Sequence, residues 1–334
     1  MRIGIDFGGT KTEIVCLDRK NGKELYRQRV PTARGDYIKT VKIICDLVRS
    51  AEAAVGKTGT VGICIPGTIV PETGLVKNAN STWIIGQPLQ KDVSKALGRN
   101  VRMENDANCF AVSEATDGAA AGKAVVFGVI IGTGCGGGLA INGHAHRGVN
   151  SIAGEWGHNP LPYLRPAVTD TEKLFAHFEQ APDTQDKLHD DYFTDLATSE
   201  YPGPLCYCGR RGCLETWISG TGFKKDYMRV TGEELSTHDI IAEAHKGSAK
   251  AIAARDRYID RLSRALAGVI NTIDPDVIVL GGGMSNMNAL YRDVPERWKR
   301  YVFSDTVKTP LLPARHGDSS GVRGAAWLWS ADEG

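Results

Sequence analysis

Apolar residues in this chain gather into short runs that end at glycine, and the runs come in pairs. Ile3 to Phe7 stops at Gly8-Gly9-Thr10-Lys11-Thr12, and Ile14-Val15-Cys16-Leu17 begins after a gap too short for a helix. Strand, glycine turn, strand predicts a hairpin, which Leu25 to Val30 extends as a third strand. Ile38, Val41, Ile44, Val48, Ala51 and Val55 keep the three/four spacing of one helix face, closed by Gly56. Thr60 to Ile65 returns as a strand that stops at Pro66-Gly67, and a polar loop with Asn78, Asn80 and Trp83 follows. Val101 to Glu104 is a short strand, after which Asn105-Asp106-Ala107-Asn108 caps a helix running to about Ala121.

The opening then recurs. Val125 to Ile131 breaks at Gly132-Thr133-Gly134-Cys135-Gly136-Gly137-Gly138, and Leu139-Ala140-Ile141 resumes it. This internal repeat predicts two α/β domains of related topology on either side of a shared cleft. The expected small domain covers residues 1–118, and the large domain covers residues 119–314. Tyr258 to Ile273 reads as a helix, and Val277-Ile278-Val279-Leu280 as a buried strand that empties into Gly281-Gly282-Gly283, with a further helix beyond. A last helix, Gly321 to Trp329 within about 315–330, is expected to cross back to the first domain. The proline- and acid-rich stretch 159–205, with one turn or two near Lys173 to Phe178, reads as a surface insertion.

Charge and cysteine placement narrow the classes. Across 334 residues, 40 basic and 39 acidic side chains leave a net charge of +1, which gives no footprint for nucleic acid or an anionic membrane. The first residues enter a strand with no secretory apolar region, so a cytoplasmic protein is expected. Of the eight cysteines, Cys16, Cys45, Cys64, Cys109 and Cys135 lie among apolar neighbours, whereas Cys206, Cys208 and Cys213 cluster. That cluster favours a metal over disulfides.

Three glycine turns follow three apolar strands: Asp6 to Thr12 (Gly8, Gly9, Thr10, Lys11), Gly132-Thr133-Gly134 with Cys135, and Gly281-Gly282-Gly283. Such turns let backbone N–H groups converge on an anion, so all three are candidate ATP-phosphate loops. None is a Walker A loop. Gly132-x-Gly134-x-x-Gly137 matches the dinucleotide fingerprint, but the strand-like residues after it replace the helix that fingerprint requires, so the Rossmann reading is rejected. Asp6, at a strand end, is a candidate Mg²⁺ ligand, with a plain turn-former as the alternative. For Asp106 the motif alone favours helix capping over a catalytic carboxylate. Cys206, Cys208 and Cys213 offer three thiolates, and His158 is the strongest candidate for a fourth ligand to a structural zinc.

Taken in order, the Asp6–Lys11 opening, Asn105-Asp106-Ala107-Asn108, Gly132-Thr133-Gly134, Gly154-Glu155-x-Gly157-His158 and Cys206-x-Cys208-Gly209-x-x-Gly212-Cys213-x-Glu215 resemble the ROK family of repressors, open reading frames and kinases. The resemblance covers essentially the whole chain. It implies two actin-like, hexokinase-type (ribonuclease H-like) domains, an ATP- and Mg²⁺-dependent sugar kinase, and Asp106 as catalytic base. It further implies Asn105, Glu155, His158 and Glu215 on sugar hydroxyls, with Gly67 and Asn80 lining the same pocket, and a homodimer. Asn78 to Trp83 and His316 to Trp327 look most like bacterial fructokinases of the manno(fructo)kinase type. Fructose is therefore the expected sugar, with N-acetylglucosamine, glucose or mannose as alternatives. The 47 residues between His158 and Cys206 are a longer spacer than these relatives usually have. A non-catalytic sugar-responsive regulator is the reading from another class; Asp6 is reached with no room ahead of it for a helix-turn-helix. An ATP-driven switch of the actin or chaperone kind is disfavoured by the paired sugar and zinc motif.

Overall fold

A computed structural model describes residues 1–165, 198–330 and 333. The first hairpin forms as the apolar runs predict. β1 (Arg2–Phe7) pairs antiparallel with β2 (Lys11–Leu17), and β2 with β3 (Glu24–Pro31). Helix α1 (Tyr37–Val55) crosses over to β4 (Thr60–Ile65), which lies parallel to β1. Asp36 caps α1 by accepting from the Lys39 N–H, and Gly56 ends it in the left-handed region at φ 70°. The buried face of α1 is Thr40, Ile44, Leu47, Val48 and Ala51, rotated from the predicted one. Ile38 is 77% exposed, and Thr40 turns inward to accept from Trp83 Nε1 at 3.1 Å.

A small ribbon of β5 (Thr68–Ile69) and β6 (Val76–Lys77) leads to α2 (Leu89–Leu97), then to β7 (Val101–Asn105) beside β4. The first sheet thus runs β3-β2-β1-β4-β7. Helix α3 (Asp106–Thr116) starts at once after β7, and ends short of the expected Ala121.

The repeat read from the sequence is a repeat of topology. β8 (Val125–Ile131), β9 (Cys135–Ile141) and β10 (His144–Ala145) form an antiparallel meander. After Gly132–Gly137 the chain continues as β9, a strand, as the rejection of the dinucleotide reading requires. The short α4 (Leu214–Ile218), α5 (Gly220–Thr231), α6 (Thr237–His245) and the 25-residue α7 (Ala249–Ile273) follow. β11 (Val277–Gly281) then lies parallel to β8, α8 (Ala289–Trp298) packs on α7, and β12 (Leu311–Pro313) closes the order β10-β9-β8-β11-β12. Each sheet therefore joins a hairpin meander to two parallel strands. α7 begins nine residues before the predicted Tyr258.

The last helix, α9 (Ser320–Ala326), is shorter than read from the sequence but does return to the first sheet, packing on β1 and β4. It comes so close that a Cβ on Gly4 would stand 2.0 Å from Val322 O, and one on Gly62 1.8 Å from Ala325 O. Among the described residues no helix is long and apolar enough to cross a membrane.

The margins of the 159–205 stretch differ from the expected surface insertion, while its middle, including Lys173 to Phe178, lies outside the described residues. Glu200 is 3% exposed and receives Arg261 Nε at 2.8 Å and Arg264 Nη2 at 2.6 Å. Arg261 also pairs with Asp226 at 3.0 Å, and Arg264 with Asp260 at 3.0 Å. Arg165 N–H donates to Glu200 Oε2, and Glu200 N–H to Arg165 O. Buried charge is tolerable when paired in this way, although Arg261 Nη2 is left without a hydrogen-bond partner.

The carboxylates in this network sit below their ordinary values: Asp226 falls to about 2, because the pull of Arg261 and Arg257 outweighs burial, and Glu200 is lowered too. A depressed carboxylate stabilises the fold above its unfolded pKa, and that contribution fades as pH drops through the folded one. Stability is therefore expected to fall between about pH 4 and pH 2, with Asp226 contributing about 2 kcal/mol. Glu200→Gln should cost about 3–5 kcal/mol at neutral pH by removing the carboxylate that bridges two buried arginines. Urea titrations at stepped pH measure both, and an unchanged midpoint in the variant would remove the network from the stability argument.

Candidate functional site

The carboxylates singled out in the sequence meet at the ends of β1 and β7 and on the loop after β10. Asn105 is the cap of α3: its side-chain oxygen accepts from the Asn108 N–H at 2.7 Å. Asp106 is thereby released from capping and is open to the cleft, with Oδ1 accepting from the Ala107 N–H at 2.9 Å. The competition between a capping and a reactive Asp106 is resolved by its neighbour. Desolvation in the cleft raises the Asp106 pKa, against the opposing pull of the Ala107 and Asp106 backbone N–H groups. Asp6 is pushed up to about 6, chiefly by burial, with repulsion from Asp106 and Glu13 adding and a hydrogen bond from Cys64 opposing. Glu155 is raised as well, by burial first and then by Asp106 and Glu215, against the pull of His158. Asp6, Asp106, Glu155 and Glu215 thus share one electrostatic neighbourhood.

The three glycine loops sort by what each position needs. Gly8 N–H is held by Lys11 O at 3.0 Å, while Thr32 Oγ1 donates to Gly8 O and Arg34 Nε to Gly9 O. Thr12 is buried and turns its hydroxyl to Thr32 at 2.9 Å, so it braces the loop from behind; Gly9, Thr10 and Lys11 face outward. In the second loop, Glu215 Oε2 accepts from Cys135 N–H at 3.2 Å, and a Cβ on Gly134 would lie 2.8 Å from that oxygen. The Cys135 side chain itself is buried. In the third, Gly281 is covered by the Phe110 ring, 2.6 Å from where its Cβ would be, and Gly282 takes φ 80° against Ile131 O. Only Gly283 has open space beside it.

Between these loops lie cavities the sequence did not disclose. One of about 1000 Å³ is lined by Gly132, Thr133, Gly220, Thr221, Lys224, His238, His245, Gly283 and Asn286, among others. The start of α5 lies in its wall, with Gly220 N–H tied to Gly132 O at 2.8 Å and Gly222 N–H to Ser219 Oγ at 2.9 Å. Ser219-Gly220-Thr221-Gly222 was the available signal, a serine cap before small residues. A second cavity, of about 580 Å³, has Asn80, Thr133, Gly134, Cys206, Tyr207, Glu215 and Trp217 in its wall. Asn80 from the first half and Thr133 from the second therefore face one space. Gly67, at φ 95°, packs against Lys77 O behind Asn80.

His158, Cys206, Cys208 and Cys213 converge, with their ligand atoms all within 4.8 Å of one another. Cys208 Sγ and Cys213 Sγ are 3.6 Å apart, and Cys206 Sγ stands 3.6 Å from His158 Nδ1. A tetrahedral site with metal–sulfur bonds of about 2.3 Å has edges of about 3.8 Å, so the four groups could hold one metal ion. The Arg210 backbone N–H holds the Cys208 thiol below its ordinary value, favouring the thiolate a metal needs. The cluster leads directly into α4, which presents Glu215.

Comparison with known proteins follows the same order of motifs. Residues 2–332 match the ROK family. The chain belongs to the ROK family. It is similar to the N-acetyl-D-glucosamine kinase of Yersinia pseudotuberculosis, 39% identical over 333 residues with all of both chains covered. The enzyme of that name from Haemophilus influenzae is 37% identical, with 98% of this chain and 99% of the relative covered. Among solved structures, a ROK hexokinase from Thermus thermophilus superposes with a TM-score of 0.78 at 27% identity, covering 98% of this chain and 97% of that one. A ROK glucokinase from Streptomyces griseus, in complex with glucose and AMPPNP, gives 0.67 at 25% identity, with 98% of each chain covered. This ROK protein is accordingly a sugar kinase with ATP as co-substrate, built on two actin-like sheets.

The convergence of the four ligand groups makes one expectation concrete. The purified ROK protein should carry one tightly bound metal ion per chain, measured by inductively coupled plasma mass spectrometry. Cys213→Ser should lose it and unfold at lower temperature. Metal content that is unchanged in this variant would show that the four groups are not its ligands.

Proposed function

We propose that this ROK kinase transfers the γ-phosphoryl group of Mg·ATP to the primary hydroxyl of N-acetyl-D-glucosamine. The observation behind the sugar is the 39% identity, over the full length of both chains, to a kinase of that name. That likeness favours the N-acetylglucosamine alternative over the fructose reading. The fructose reading leaned on Asn78 to Trp83 and on His316 to Trp327, and the geometry gives the second stretch other work. His316 Nε2 and Arg323 both reach Asp117, Arg323 also donates to Gly22 O at 2.9 Å, and Trp327 lies under Arg2. They brace α9, so their pattern carries little about the sugar.

Asp106 is the general base in this reading. Phosphoryl transfer through a loose transition state asks the protein mainly to position groups and to stabilise charge. With Asn105 capping the helix, the Asp106 carboxylate is free to take the acceptor proton. Asn80, Asn105, Glu155, His158 and Glu215 would hold the remaining hydroxyls. Gly9, Thr10, Lys11, Thr133, Gly134 and the start of α5 would surround the phosphates, and the 1000 Å³ cavity would take the nucleoside, bounded by Gly283. Asp6 is suited to the magnesium of Mg·ATP. The Cys/His cluster fits zinc, whose role would be structural: four protein ligands leave no open position, and the ion would fix the ring of His158.

Asp106→Asn should lower kcat by about 10²- to 10⁴-fold and leave sugar affinity nearly unchanged. Because the raised Asp106 pKa must still be exceeded for the base to be ionised, kcat/KM should fall at acid pH along a limb lying above 3.8. A coupled ADP assay over N-acetylglucosamine, glucose, mannose and fructose tests the substrate. A higher kcat/KM for fructose would restore the first expectation, and binding without turnover of any sugar would favour a regulator.

A further inference from the structure

Arg147, on the loop after β10, reaches across from the second sheet to the end of the first. Its Nε donates to Glu104 Oε2, and its Nη2 to Met103 O at 2.6 Å. The Glu104 side chain is 3% exposed, whereas that of Arg147 is 47% exposed. A buried carboxylate thus receives its cation from the opposite half of the molecule. Without Arg147, Glu104 would keep only neutral partners among the described residues, and an uncompensated buried charge is costly.

Each end of this tie is joined to part of the sugar site. Glu104 Oε1 accepts from the Asn105 N–H at 3.0 Å and from Asn108 Nδ2 at 3.2 Å. Asn105 in turn caps α3, so the corner that carries Asp106 is built on the Glu104 carboxylate. At the other end, Arg147 O accepts from the Ala153 N–H at 3.0 Å, and Ile152 O from the Glu155 N–H at 3.1 Å. The loop is folded on itself, and Arg147 and Glu155 are held as one unit. Two other polar links across the same gap are longer. Lys77 Nζ stands 3.3 Å from Asn150 O, and Leu139 N–H donates to Asn108 Oδ1 at 3.3 Å. A guanidinium on a carboxylate, with a second nitrogen on the preceding carbonyl, is the stronger restraint.

We propose that Arg147 and Glu104 are positioning residues: their ion pair sets the distance between the base Asp106 and the sugar-holding Glu155. The inference rests on the kinase reading above, in which those two residues meet the sugar. Arg147 and Glu104 act only through the residues they hold.

The test is steady-state kinetics with Mg·ATP and whichever of the four sugars above the wild type phosphorylates best. The double variant Glu104→Gln/Arg147→Met is measured alone and combined with Glu155→Ala, with thermal unfolding of each. It cuts the tie without stranding a buried charge, and the new amide oxygen can still accept from Asn105 and Asn108. kcat/KM for the sugar should fall about 10- to 100-fold, through both kcat and KM, with the KM for ATP unchanged. In the Glu155→Ala background the same cut should cost about threefold or less, because the contact it places is already gone. Arg147→Lys keeps a cation beside Glu104 but loses the fork, so it should fold and show the same split to a smaller degree. That variant carries the test if the double variant unfolds. A wild type inactive on all four sugars, or Asp106→Asn with its kcat intact, overturns the kinase reading and this inference with it. With the wild type active and Asp106→Asn inactive, three results overturn the inference alone. They are an unchanged sugar KM, an equal shift in both substrates' KM, or a loss fully additive with Glu155→Ala.

Discussion

The position of α3 is the constraint on which the rest of this molecule depends. It is wedged at backbone distance between the two halves: a Cβ on Gly138 would stand 2.2 Å from Ala107 O, and one on Gly324 1.7 Å from Cys109 O. Gly281 gives way likewise to Phe110. With no side chains between, the helix has little freedom to slide, since close-packed interiors have no slack to absorb a shift. Its first residue, Asp106, is therefore held by contacts with β9 and α9 and by the end of β7 together. The small residues around it serve placement more than turning.

Much of this was legible in the sequence, because the relevant signals are local. Hairpins announce themselves as apolar runs around glycine, and both formed in the expected register of halves. The thiolate cluster was legible for the same reason, since Cys206, Cys208 and Cys213 lie within one loop and need only His158 from elsewhere. Asp106 was ambiguous because Asn105 and Asp106 are both good caps, and only coordinates show which one accepts from Asn108.

What stayed hidden depends on partners distant in sequence. Gly281 and Gly132 look alike as letters, yet one is covered by an aromatic ring and the other sits at the mouth of a cavity. Thr12 belongs to a phosphate-loop motif but faces Thr32. The α1 face was misphased at Ile38 because periodicity finds a stripe without saying which edge meets the sheet. Glu200 stands in an acid- and proline-rich stretch whose composition suggests solvent, and its two buried arginines come from the middle of α7. Sugar preference was the hardest to read, as single contacts in a pocket decide it and family-wide motifs do not carry them.

The reciprocal hydrogen bonds between Arg165 and Glu200 bring the two ends of the long spacer to one point and anchor that point in a buried ionic lattice. A chain that leaves and re-enters at a single anchored gate transmits little of its own length to what lies beneath, and closing a longer loop adds only about 0.6 kcal/mol per doubling. The Cys/His cluster and Glu215 begin just past that gate. A change of length between Arg165 and Glu200 would have to break this anchored pair before it could displace the Cys/His cluster or Glu215.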